Sequence, residues 1–200
     1  QPTLIIGEAD VGPAEVVSQV KRTSIDFRII PDFFSTDGIF KKIRCVGKIL
    51  GVQSSILTDR IQRLNKLKTE LQSEVKNNAK QKILLILMMR GTSPIVGGLD
   101  TSGDGFIRMT GNLNAFSKFK GWKPVGLESI IASDPDYIII TNRAFSQFKT
   151  VSKFFELTKL GGTAAGKNKN LIIADGMAIL GFSPRTLEMA VKLSKQINSK

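Results

Sequence analysis

Residues 53–80 read QSSILTDRIQRLNKLKTELQSEVKNNAK, and how this stretch is read decides the fold. It holds neither Gly nor Pro. Leu57, Ile61, Leu64, Leu67, Leu71 and Val75 recur at steps of four, three, three, four and four, which is helical spacing with one apolar stripe. Arg60, Arg63, Lys66, Lys68, Glu70, Glu74 and Lys76 occupy the other faces. At about 1.5 Å per residue the helix is roughly 40 Å long, close to the diameter of a domain. A coiled coil is the plain alternative, but the uneven steps break heptad regularity over too short a span for that assignment. The better reading is a spine packed along one side of two α/β lobes. Its flanks should then look like lobe material.

The amino-terminal flank does so in part. Residues 3–7 read as a strand and 8–12 as a loop, with Pro13 placed as first residue of a helix to about Lys21, where its missing N–H costs nothing. Residues 27–30 form the next strand, closed by Pro31. Ser35 or Thr36 caps a helix over 37–50 with Ile39, Phe40, Ile43, Val46, Ile49 and Leu50 inward. Two strands and two helices are little core for an independent lobe. Because Leu4–Ile6 already belong to a strand, the expectation is a chain shortened ahead of Gln1.

The carboxyl-terminal flank is fuller. Residues 82–89 form a strand with a continuous apolar run, as a parallel strand covered on both faces requires. A Gly-rich loop over 90–98, a helix over 101–110 and a loop over 111–124 follow. A short helix over 127–133 breaks at Asp134-Pro135, because Pro forces its predecessor out of helical space. Residues 137–141 and 171–174 are strands, 146–157 a helix, and Pro184 opens a last helix to about Asn198. Strands alternating with helices imply an α/β lobe with a mostly parallel sheet. The expected division is residues 1–52 as the end of an N-lobe, 53–80 as the spine and 81–200 as a C-lobe.

Composition narrows the chemistry. The chain has no His and one Cys, which removes His-based general bases, Ser-His triads, internal disulfides and Cys-based metal sites. No apolar run approaches the ~20 residues of a membrane span, so no membrane insertion is expected. The net charge of +12 raises nucleic acid, anionic membrane or acidic ligands as partners. The basic residues are mostly Lys spread along helices and loops, with one Trp and one Tyr for stacking, which favours a solvated surface over a nucleic-acid interface.

Three constellations stand out. Asp100-Thr-Ser-Gly-Asp-Gly begins like a calcium loop, but its twelfth position is Gly111 and not a bidentate Glu. The structural alternative is that Asp100 or Thr101 caps the next helix, leaving free N–H groups where an anion can sit. Gly97, Gly98, Gly103 and Gly105 lack the spacing of a dinucleotide fingerprint. Finally, Met88-Met89-Arg90 and Thr141-Asn142-Arg143 both lie at carboxyl ends of strands, the edge where open α/β sheets bind ligands. Each Arg alone reads equally as a solvated loop charge. Two at one edge favour a carboxylate-bearing ligand, since Arg pairs bidentately with carboxylates. Met89 by itself reads as core sooner than as ligand.

Four segments carry a family likeness: ILLILMMRGTSPIVGGLDTSGDGFIRMTGNLNAF (83–116), FKGWKPVGLESIIASDPDYIIITNRAF (119–145), LIIADGMAILGFSPRTLEMAVKL (171–193) and PTLIIGEADVGPAEVVSQVK (2–21). The first three resemble the C-terminal lobe of haem-binding periplasmic proteins of haem ABC importers, and the last is similar to the end of their N-terminal lobe. GFSPRT (181–186) is fairly specific; DPDYIII (134–140) is shared with siderophore and cobalamin binders. The resemblance implies a bilobed periplasmic binding protein with two parallel-sheet lobes joined by a long helix, here with an incomplete N-lobe. It implies a secreted, monomeric transport component and not an enzyme, which clamps one haem (hemin) for iron uptake and hands it to an ABC permease dimer.

Residue by residue, the stretch 8–13, with Glu8 and Asp10, matches the N-lobe loop at the cleft. Met89, with Arg90 beside it, falls where some relatives carry a second, histidine ligand, and Arg143 matches an arginine beside the haem. Glu128 matches the acidic residue that docks on an arginine of the permease. The family's axial tyrosine belongs to an earlier part of the N-lobe, so the axial ligand is expected outside these residues; Tyr137 should be buried in its strand. The alternatives are a ferric-siderophore or cobalamin binder of the same fold, and a basic nucleic-acid-binding α/β module.

Overall fold

The computed structural model describes the chain apart from residues 1, 10, 31, 77, 78, 92 and 200. β1 (Leu4–Glu8) and β2 (Asp26–Ile30) pair in parallel, with α1 (Ala14–Lys21) between them. Pro13 is the N-cap of α1 and not its first residue, a one-residue difference of the kind helix ends show. Then comes α2 (Thr36–Ile49), capped by Ser35, whose hydroxyl accepts from the Gly38 N–H at 3.1 Å. The spine is α3 (Ser54–Lys76), 23 residues long, with the described residues 79 and 80 outside the helix.

The remaining elements are β3 (Lys82–Arg90), β4 (Ser93–Gly97), α4 (Ser102–Met109), β5 (Leu113–Asn114), β6 (Trp122–Pro124), α5 (Leu127–Ser133), β7 (Tyr137–Thr141), α6 (Asn142–Phe145), α7 (Val151–Thr158), a 3-10 turn (Leu160–Gly162), α8 (Ala164–Lys167), β8 (Leu171–Ala174), α9 (Gly176–Leu180) and α10 (Pro184–Asn198). The sheet order is β6-β4-β3-β7-β8, with β5 against the amino end of β3. β3, β7 and β8 are parallel, with Ile86 beside Ile140 and Ile140 beside Ile173.

Three expectations need correction. The Gly-rich stretch 90–98 is not a loop. β3 continues to Arg90 and returns as antiparallel β4 after Gly91, whose φ of +61° suits glycine. Gly91, Pro94 and Gly97 read as loop punctuation, and Pro94 is tolerated because it lies at the start of β4, ahead of the residues paired with β6. Likewise 111–124 contains β5 and β6, two strands too short to show a period. Third, 146–157 is not one helix. α6 begins already at Asn142, and α7 starts afresh where Lys149 takes φ +61° and the Thr150 hydroxyl accepts from Lys153 N–H at 3.1 Å.

Strand alternation builds a core on each face of the sheet. Ile83 and Leu85 join Leu64 and Leu71 of α3, Phe106 of α4 and Leu187 and Val191 of α10. Leu84 and Ile86 join Ile130, Phe148 and Phe154 on the other face. α3 is fastened to α10 by Lys195 on Glu70 at 2.5 Å and by Asn198 donating to Glu74 at 2.8 Å. α2 belongs to this packing too: Ile39 lies wholly buried in the first cluster, and Phe34 meets Phe182 at 5.2 Å between ring centres. That approach needs Gly105, because a Cβ there would stand 2.6 Å from the Phe34 carbonyl oxygen. By contrast, α1 buries no residue, and Ile29 and Phe33 stay half exposed around the two-stranded sheet.

Candidate functional site at the strand ends

The carboxyl ends of β3, β7 and β8 are stitched together by one residue. Thr141, the last of β7, donates its hydroxyl to the Leu87 carbonyl of β3 at 2.7 Å and accepts the Ala144 N–H at 3.2 Å, capping α6. On its other side Gly176 packs so closely that a Cβ would lie 3.1 Å from Thr141 Cγ2. Three side chains leave the sheet within two residues of these contacts: Met88 after Leu87, Arg143 after Thr141 and Met177 after Gly176. All are exposed, Met177 to 79%, the most of any large apolar residue described. In strand order the edge thus runs thioether, guanidinium, thioether.

Why Met88 and not Met89 faces out follows from the backbone. The β3–β4 register shifts between Ile86 and Met88, and one extra residue reverses which face every later side chain takes. Met89 therefore packs with the Ile86 cluster, in a small hollow lined by Ile130, Leu127 and Leu160. Arg90 stays exposed at the arm's tip, paired with Ser93. Among the residues expected at the site, the structure brings Arg143 and Arg90 to this edge and turns Met89 inward. Met177 was missed by sequence reading, although it follows an Asp-Gly turn directly after a strand, which is a legible signal.

Behind Met177 stands a fixed anchor. The Asp175 carboxylate accepts the N–H groups of Met177 at 2.9 Å and Ala178 at 3.3 Å, and it also pairs with Arg185. The Arg185 hydrogen bond holds this carboxyl below its ordinary range, with partial burial opposing and the two backbone N–H groups assisting. The start of α9 is thereby pinned, and the Met177 side chain projects from a rigid turn.

Glu8, at the end of β1, is engaged by a lysine. Lys42 of α2 is 8% exposed, bonds the Glu8 carboxylate and donates to the Gly181 carbonyl at 3.2 Å. One buried ammonium thus ties the tip of β1 to the end of α9. Asp10 lies outside the described residues. Glu128 is exposed in the first turn of α5, where a carboxylate suits the helix dipole. That turn is next to Leu127, which lines the same hollow as Met89, so Glu128 stands near the rim of the edge.

The 100–105 loop is structural. Thr101 caps α4, accepting from Asp104 N–H at 3.0 Å and donating to Gly98 O at 2.8 Å. Asp100 pairs with Lys120 at 2.8 Å, which lowers its pKa. The buried Asp104 pairs with Arg108 at 2.9 Å and accepts from Asn114 at 3.0 Å. Each carboxylate that resembled a calcium ligand has its own cation. Tyr137 is buried at the amino end of β7, away from the edge, and burial, together with nearby Asp136, raises its pKa.

The family model for periplasmic binding proteins matches residues 1–178. Among solved structures, the periplasmic heme-binding protein BhuT, in complex with two hemes, is 24% identical, with a TM-score of 0.88 over 99% of this chain and 75% of its own. The periplasmic heme-binding protein RhuT from Roseiflexus sp. RS-1, in apo form, is 25% identical, with a TM-score of 0.78 over 100% of this chain and 76% of its own. The periplasmic heme-binding protein HutB of Vibrio cholerae is 24% identical, with a TM-score of 0.82 over 98% and 77%. Comparison with curated proteins returns no match. Fold, strand-end edge and a model match over most of its length agree: the chain belongs to the periplasmic binding protein family.

Proposed function

We propose that the protein is the substrate-binding component of an ABC importer, taking haem at the strand-end edge and delivering it to a permease dimer from the periplasm as a monomer that carries out no chemistry. The observation that carries this reading is the edge itself. Haem is a flat apolar ring with two carboxylates, and Met88 and Met177 offer polarisable apolar contact on either side of a cationic Arg143. Methionine adapts to flat and irregular surfaces, while the guanidinium suits a propionate. The names of the similar solved structures support the same ligand class.

In this reading Arg143 holds one propionate and Arg90 lies within the same rim. Met89 shapes the arm from behind, and Glu8 acts through Lys42 on the setting of β1. The lobes divide at about residues 1–52, 53–80 and 81–200, with α2 and α3 both lying on the C-lobe core. Glu128 at the rim docks on the permease.

A melting-temperature panel tests the ligand class, since a ligand that binds only the folded state raises the midpoint by mass action. Hemin should raise it, whereas ferric siderophores, cobalamin and DNA should leave it in place. A rise with cobalamin or a siderophore and none with hemin would replace the haem reading.

A further inference from the structure

Resting on the haem reading, we propose that the Met177 thioether is the donor that the C-terminal lobe supplies to the iron. Iron in a porphyrin takes its axial ligands from imidazole, thiolate, thioether or phenolate groups. The chain has no histidine. Its one tyrosine is buried at the opposite end of β7, and its one cysteine, Cys45, sits along α2 and not at a strand end. Two described carboxylates near the edge are engaged, Asp175 by Arg185 and Glu8 by Lys42, and Glu128 lies on α5, away from β8 and Met177.

What remains is sulfur. Met88 and Met177 both stand at the edge, but they differ in mounting. Met88 lies on the hairpin arm, 40% exposed, and Met177 is 79% exposed on a turn pinned by Asp175 and by the Gly176–Thr141 contact. A donor atom presented from an immobile backbone loses less freedom on coordination, the advantage of a preorganised ligand. The Gly176–Thr141 contact also sets Met177 beside the end of β7, two residues before Arg143 of α6. A thioether ligand raises the haem potential relative to harder donors, so the site should favour ferrous haem.

The experiment uses the protein loaded with hemin, read first in the ferric state and then titrated with reductant, and compares it with Met177→Leu, Met88→Leu and Cys45→Ser. Leucine keeps the volume and removes the donor. Expected are a thioether signature in the near-infrared charge-transfer region, lost only in Met177→Leu, a lower reduction potential in that variant, and haem loss to an apo-globin acceptor faster by roughly tenfold or more, in line with perturbed metal sites. Bound haem whose spectrum and potential are unchanged by Met177→Leu overturns this assignment and leaves the haem reading standing. Loss of the signature in Met88→Leu or Cys45→Ser instead also overturns it. A protein that takes up no hemin at all overturns both.

Discussion

Arg143 and Lys42 are two cations in opposite settings. Arg143 is exposed, and no hydrogen bond or ion pair of its guanidinium is found among the described residues, so truncation should leave folding intact. Arg143→Ala should weaken hemin binding by roughly ten- to a hundredfold, the worth of a charge-assisted hydrogen bond at about 1.5–3 kcal/mol, with an unchanged melting midpoint. Lys42 is the reverse case. Lys42→Met would leave Glu8 and the Gly181 carbonyl without their shared donor, at a cost of about 1–3 kcal/mol. Chemical denaturation should register that loss. Asp175 adds a pH dependence: its carboxyl is held below the ordinary range, so the ion pair stabilises the fold fully above the unfolded-state value. That contribution fades as pH falls through the lower folded-state value. The melting-point gap between the wild type and Asp175→Asn should therefore be widest near neutrality and close in acid. A constant gap would mean the charge is irrelevant there.

The long helix was the most legible element, because its stripe of Leu and Ile at helical steps required something to lie against. Leu64 and Leu71 are its two buried residues, and α10, whose own stripe was equally plain, is what they meet. Leu64→Ala should cost about 2–5 kcal/mol, as large-to-small core changes do, whereas changes to Arg63 on the outer face should register nothing. The hairpin arm was not legible. Gly91, Pro94 and Gly97 carry loop chemistry, and a register shift set by backbone pairing decides that Met88 and not Met89 faces out. No local pattern announces such a shift. Short pieces such as β5, β6, α8 and α9 exist because neighbours hold them, Asp175 pinning α9 being one case, and propensity over four or five residues is too weak to declare them. Asp37 paired with Lys68 at 2.9 Å shows the same dependence between α2 and α3, visible only once both helices are in place.

At the scale of the whole molecule, alternation of strands and helices was enough to place the sheet, and the rule that ligands gather at carboxyl strand ends was enough to find the edge. What sequence could not supply was how the amino-terminal strands meet the larger sheet. That junction rests on close approach: Phe34 over Gly105 and Phe182, and Lys42 between Glu8 and Gly181. Gly105→Val should drive a side chain into the Phe34 backbone and destabilise by about 1–3 kcal/mol, most visibly as a loosened β1–β2 unit in hydrogen exchange. The chain covers about three quarters of the length of BhuT, RhuT and HutB. The most direct measurement is a hemin titration followed in the Soret region with wild type and Arg143→Ala side by side. A saturable shift in the wild type, displaced to higher hemin concentration in the variant, is the predicted result. A wild type whose hemin spectrum stays that of free hemin would contradict the account.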